Sequence, residues 1–186
     1  MDFNTELFYF INCKLENFLL NFIMPLITDL GGFVWLLIIL IIIIIYAHIK
    51  KNSILKKIAI IALIAFLFTD LVVIILKNIF REPRPFIALK NVHLLVVEND
   101  PNSFPSGHSS STLSVVTVFI LNMKKLFKKH YKSINIVLII FSFIIPFSRI
   151  YVGVHYQTDV FAGAVVGVGV ALIVNYINKS LNIINI

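Results

Sequence analysis

Apolar residues in this chain come in long blocks rather than in short alternating runs. The block 33–49, FVWLLIILIIIIIYAHI, and the block 58–76, IAIIALIAFLFTDLVVIIL, approach the ~20 residues that a helix needs to cross a bilayer. Blocks at about 109–123, 133–148 and 156–177 predict three further spans. The first 30 residues are apolar too, but Lys14, Glu16, Asn21, Pro25 and Asp29 interrupt them. That pattern suits an amphipathic helix in the membrane plane followed by a short span. The expected fold is all-α, a polytopic membrane protein of about six transmembrane helices with an amphipathic N-terminal segment. Residues 1–186 are expected to form a single membrane-embedded domain.

Composition supports lipid as the main solvent. The 186 residues are 59% hydrophobic and 13% charged, against about half and about a quarter in soluble domains. The net charge of +7 does not point to nucleic acid: the lysines cluster in loops between apolar blocks, and no basic–aromatic groove pattern accompanies them. The sole cysteine, Cys13, excludes an intramolecular disulfide or a cysteine-rich metal site. The start, MDFNTE, lacks the basic region of a signal peptide, so the chain is expected to enter the membrane through its own spans.

Charge also orients the chain. Lys50, Lys51, Lys56 and Lys57 lie in one loop, and Lys124, Lys125, Lys128, Lys129 and Lys132 in another. Both loops are expected in the cytoplasm, as is the tail with Lys179 and its asparagines. The segment 81–107 and the turn 149–155 then face outward. This outer side holds all three arginines, Arg81, Arg84 and Arg149, with Lys77 at the end of its span. Topology does not call for these cations.

They belong to three polar clusters, each with an ordinary reading of its own. In KNIFREPRP (77–85), Lys77 and Arg84 would share a face if the helix continued, but Pro83 and Pro85 end it near Arg81. Such residues also anchor helix ends at an interface. In NSFPSGHSSS (102–111), Pro105, Ser106 and Gly107 suit a turn and a helix cap, and the helix N-terminus favours an anion. His108 would stand beside it, or be a surface histidine. In SRIYVGVHYQTD (148–159), His155 and Asp159 are four apart, on one helical face. They could be an interfacial pair or a histidine oriented by a carboxylate.

Together the clusters supply the parts for phosphoryl transfer. Lys77, Arg84 and Arg149 suit nonbridging phosphate oxygens, with Ser106 and the Gly107 N–H as neutral donors. A neutral His155, held in place by Asp159, can attack phosphorus, and His108 can act as general acid. No carboxylate cluster suited to Mg²⁺ is evident, so no metal and no other cofactor is expected.

These residues resemble the type 2 phosphatidic acid phosphatases, relatives of the vanadium haloperoxidases, whose pattern is K-x6-R-P, P-S-G-H and S-R-x5-H-x3-D. Here it reads Lys77 with Arg84-Pro85, then Pro105-Ser106-Gly107-His108, then Ser148-Arg149 with His155 and Asp159. The resemblance implies a six-helix membrane fold and hydrolysis of a lipid phosphate through a phosphohistidine on His155. Asp159 would orient His155, His108 would protonate the leaving group, and Lys77, Arg84, Ser106, Gly107 and Arg149 would hold the phosphate. Undecaprenyl diphosphate, phosphatidylglycerophosphate and phosphatidate are the substrates it offers. An outward-facing site in the plasma membrane favours the first, whose recycling would occur outside; the motifs, which read phosphate rather than tail, do not separate the three.

A non-enzymatic lipid-binding or transport protein is the alternative, but no internal repeat of the common transporter kind is apparent. The hydrophobic spans disfavour a soluble vanadate-binding enzyme. Asp70, within a predicted span, is expected near the site or in a hydrogen bond between helices. The run GAVVGVG (163–169) predicts close helix packing within the monomer rather than dimerisation.

Overall fold

A computed structural model describes residues 2–181, 183 and 184. The end of the expected cytoplasmic tail, residues 182, 185 and 186, and Met1 lie outside the described residues. The elements are α1 (Phe3–Tyr9), continued by a π-helical turn at Phe10–Lys14, then α2 (Phe18–Leu30), α3 (Phe33–Ile49), α4 (Ser53–Phe80), α5 (Pro85–Ala88), α6 (Gly107–Leu126), α7 (Tyr131–Tyr151) and α8 (Gln157–Leu181). Each of the five blocks after residue 30 forms a helix, within a few residues of its expected bounds.

Short polar side chains set several helix starts. Asp2, Asn17 and Asn52 accept the N–H groups of Thr5, Leu20 and Leu55, satisfying donors that the first helical turn leaves free. α4 ends at Phe80, where Arg81 turns left-handed at φ 49° before the Glu82–Pro83–Arg84–Pro85 stretch.

α6 sits at the centre, packed against α4, α7 and α8, while α3 leans on α4 and α2 on α7. The main apolar cluster joins Leu36 and Leu40 to Ile58, Ala62, Ala65, Phe66, Val115, Val118 and Ala171. The α6–α8 approach is close because of two glycines. A Cβ on Gly163 would lie 2.5 Å from the Ser106 carbonyl oxygen, and one on Gly167 would lie 2.9 Å from the Ser110 carbonyl carbon. The GAVVGVG run therefore packs helices within the monomer, as expected, although Gly169 faces nothing within 4 Å.

Large apolar side chains also cover the outside: Ile42, Phe143 and Phe161 are 58%, 72% and 73% exposed. A lipid surround suits such a surface. By length and apolarity, α4, α7 and α8 can cross a bilayer. The segment from Phe3 to Leu30 would add a fourth span as a helix pair bent by 114°. α3 is apolar but has 17 residues. α6 lowers its hydropathy with Ser109, Ser110, Ser111, Thr112 and Ser114, all buried against neighbours.

The bent N-terminal pair does more than lie along an interface. Phe8, Ile11 and Met24 pack under Ile150, Tyr151, Val152, Val154 and Tyr156. Buried Asn12 donates to the His93 and Tyr151 carbonyls, both at 2.8 Å, and accepts the His93 N–H at 2.9 Å. The turn between α7 and α8 passes through Gly153 at φ +88°, where a Cβ would lie 2.8 Å from the His93 oxygen. The N-terminal segment, the 89–103 segment and this turn are thereby tied together. Asp70 stays half-buried on α4.

Candidate active site

The end of α4, the start of α6 and the junction of α7 with α8 come together beneath the 89–103 segment. His155 precedes α8 rather than sharing a helical face with Asp159, because the helix begins at Gln157. The two meet through a capping arrangement. Asp159, in the first turn, accepts the Tyr156 N–H through Oδ2 at 2.8 Å, and the same oxygen lies 3.2 Å from His155 Nδ1. The Asp159 carbonyl also accepts the Ser106 N–H at 3.0 Å, and Ser109 Oγ donates to the Val160 carbonyl at 2.7 Å. The PSGH turn is thus docked on the start of α8.

The His155 tautomer follows from its partners. Its Nε2 is 3.0 Å from Arg84 Nη1, a group that only donates, so Nε2 accepts and the proton sits on Nδ1, facing Asp159. Burial, then the charges of Arg84, Arg149, Lys77 and His108, hold the ring well below its ordinary pKa of 6.5. Neutral His155, 1% exposed, therefore aims a lone pair at a cluster of cations.

Lys77 and Arg84 are brought together by a third partner, not by one helical face. Arg84 stands in extended conformation at the start of α5, four residues beyond the end of α4. Its Nε donates to the Asp100 carbonyl and its Nη1 to the Val154 carbonyl at 3.0 Å. Lys77 Nζ donates to the Asp100 carboxylate and, at 2.8 Å, to the Asn102 carbonyl. Arg149, on the last turn of α7, donates through Nη1 to Thr28 Oγ1 at 3.0 Å and through Nη2 to Glu98 Oε2 at 2.8 Å. Its Nε is buried without a partner among the described residues.

Ser106 is fully buried and caps α6, accepting the Ser109 N–H at 3.4 Å. Gly107 opens the helix, with Val73 Cγ1 3.8 Å from where its Cβ would be. His108 lies half-buried one residue on; a Cβ on Gly32 would sit 3.3 Å from its Nε2, so the α2–α3 turn closes over that ring. Arg81, the third arginine of the side expected to face outward, is exposed and turns its Nε back to the Asn78 carbonyl at 3.0 Å. It stays outside the cluster.

A sequence profile described as the PAP2 superfamily matches residues 58–182, the stretch that carries all of these motifs. The chain belongs to the PAP2 superfamily. It is 33% identical over 124 residues to a protein named bacitracin transport permease protein BcrC of Bacillus licheniformis, and 36% identical over 90 residues to one named undecaprenyl-diphosphatase BcrC of Bacillus subtilis. These matches take in 67% and 48% of this chain but 57% and 42% of the relatives, so the chain spans about half the length of each. Two solved structures are similar nearly throughout. Aquifex aeolicus LpxE has a TM-score of 0.75 and 31% identity, covering 95% of this chain and 96% of that one. The PAP2-type phosphatidylglycerolphosphate phosphatase of Bacillus subtilis has a TM-score of 0.79 and 27% identity, covering 90% and 81%.

Within this PAP2 site, the structure brings every expected residue into one region and adds four that no motif marked. Glu98 and Asp100 bind the cations, Thr28 receives Arg149, and Gly32 leaves room for His108. A trace of the acids exists in the sequence. VENDP puts two carboxylates on a segment expected to face outward and otherwise read for its arginines.

Proposed function

We propose that this chain is an integral membrane hydrolase that removes phosphate from a lipid phosphate or diphosphate at the extracytoplasmic face of the plasma membrane. The observation that carries this reading is the His155 tautomer. An accepting Nε2 is backed by Asp159 on the other ring nitrogen and faces Arg84 at 3.0 Å.

In the proposed reaction, Nε2 attacks phosphorus as the bond from phosphorus to the leaving oxygen breaks. That oxygen keeps the electron pair and takes a proton from His108. Asp159 stabilises the cationic ring so formed. Water then attacks the phosphohistidine and gives a proton to His108, and the N–P electron pair returns to Nε2 as inorganic phosphate leaves. Arg84, Arg149 and Lys77, with Ser106 Oγ and the Gly107 N–H, neutralise the transferred group. Arg149 Nε, buried and unpartnered among the described residues, is a donor suited to a phosphate oxygen. The chain acts as a single domain with six crossings, the bent N-terminal pair and α3 among them, and needs no metal.

Undecaprenyl diphosphate is the favoured substrate, since a relative 36% identical bears the name undecaprenyl-diphosphatase. Phosphatidylglycerophosphate is the second reading, favoured by the structural likeness to the Bacillus subtilis enzyme, and phosphatidate the third. The test is phosphate release in detergent and EDTA across these three lipids and a soluble ester. His155→Ala should fold yet lose a factor of about 10³ or more in kcat. Full activity in that variant would refute the nucleophile, and no turnover of any lipid by the unaltered chain would refute the activity.

A further inference from the structure

The cation cluster already holds an anion of its own. A single oxygen, Glu98 Oε2, lies 2.8 Å from Arg149 Nη2 and 3.5 Å from Arg84 Nη2. Both guanidinium groups are buried, at 3% and 2% exposure, so this oxygen sits where a phosphate oxygen bridging two arginines would sit. The other carboxylate differs. Asp100 is pinned, its Oδ1 accepting the Asn102 N–H at 3.0 Å and its Oδ2 accepting from Lys77.

Among the described residues, Glu98 has no such anchor beyond the two arginines. The backbone around it is tied on both flanks, by Leu95 N–H to the Val152 carbonyl at 3.1 Å and by Arg84 N–H to the Pro101 carbonyl at 3.2 Å. Residues 97–99 lie between Val96, packed on the apolar cluster under the turn, and the pinned Asp100, and Val97 beside Glu98 is 90% exposed. This short span, exposed at Val97 and Asn99 and fixed at its ends, can swing the Glu98 side chain in and out without disturbing the rest. The same Arg84 that meets Glu98 also covers the lone pair of His155 Nε2. Opening the site to phosphate therefore means exchanging one anion for another.

We propose that Glu98 is a displaceable internal anion. Its carboxylate holds the phosphate position between Arg84 and Arg149, yields it to the substrate phosphate, and returns to expel inorganic phosphate. This rests on the phosphatase reading and deepens it, since it makes Glu98 the residue that sets the site's affinity for product.

The probe is inorganic phosphate, with binding to the purified full chain in detergent measured by calorimetry. Glu98→Gln keeps the shape and removes the competing charge, so phosphate should bind about tenfold tighter or better. The control is Glu82→Gln, which removes a nearby carboxylate that, among the described residues, makes no ion pair with these cations; its phosphate affinity should match the unaltered chain. Unchanged or weaker binding by Glu98→Gln overturns the proposal. So does an equal gain in Glu82→Gln, which would make the effect one of bulk charge. If Glu98→Gln does not fold, Glu98→Asp, too short to reach both arginines, is held to the same criterion of tighter binding. Lipid turnover is read separately: an inactive but phosphate-binding protein refutes the proposed activity and leaves the Glu98 comparison intact.

Discussion

His155 combines burial with three neighbouring cations, and both disfavour the imidazolium. With its pKa depressed, the neutral ring, the form proposed as nucleophile, is present at every pH above the lowered value and is lost as pH falls through it. The acid limb of kcat/KM assigned to His155 should therefore lie well below pH 6.5. A pH–rate profile on a soluble phosphate ester, with the substrate's own ionisation measured and divided out, checks this. An acid limb at 6.5 or above would mean that the ring does not feel the cations. Proximity in sequence also conceals how Asp159 works at this scale. The i,i+4 spacing suggests a shared helical face, whereas the carboxylate reaches back from the first turn to a histidine outside the helix.

At the scale of the helix, the site depends on how closely α8 approaches α6. Gly163 and Gly167 allow that contact, and the Ser106–Asp159 backbone bond lies at its end beside the helix starts. Gly167→Leu should cost about 1–3 kcal/mol of stability by overpacking and should lower kcat by shifting Asp159 against the PSGH turn. Gly169→Ala, facing open space, should leave activity intact and be neutral or stabilising by about 0.5–1 kcal/mol through helix propensity. Thermal unfolding and turnover of the two variants decide the matter; equal effects would mean that the glycines are not packing positions. The GAVVGVG run was legible as a packing motif from spacing alone. Which of its glycines face a neighbour was not, because rotation of α8 about its axis is set by the partner helix.

For the whole molecule, the proposed orientation has a direct reading at Val97, 90% exposed and next to Glu98. In a Cys13→Ser background, Val97→Cys should react with a membrane-impermeant maleimide added to intact cells, while a cysteine replacing Lys128 should react only after lysis. The reverse pattern would put the site in the cytoplasm and remove the argument for an outward-facing lipid diphosphate. Cys13 must be replaced because its thiol, partly accessible beside Asn12 and Asn91, would itself react.

The run of apolar blocks, the lysine loops and the three motifs were enough to determine an all-α membrane chain and to select Lys77, Arg84, His108, Arg149, His155 and Asp159. Those signals are local: hydrophobic length, charge placement and spacing within a dozen residues. Their convergence is not local. Lys77 and Arg84 meet through Asp100, Arg149 through Glu98 and Thr28, and His108 against Gly32, partners separated by up to 121 positions in the chain. A buried guanidinium requires a partner wherever the fold can bring one. Tertiary packing alone decided that a glutamate on the irregular segment between α5 and α6 would be it.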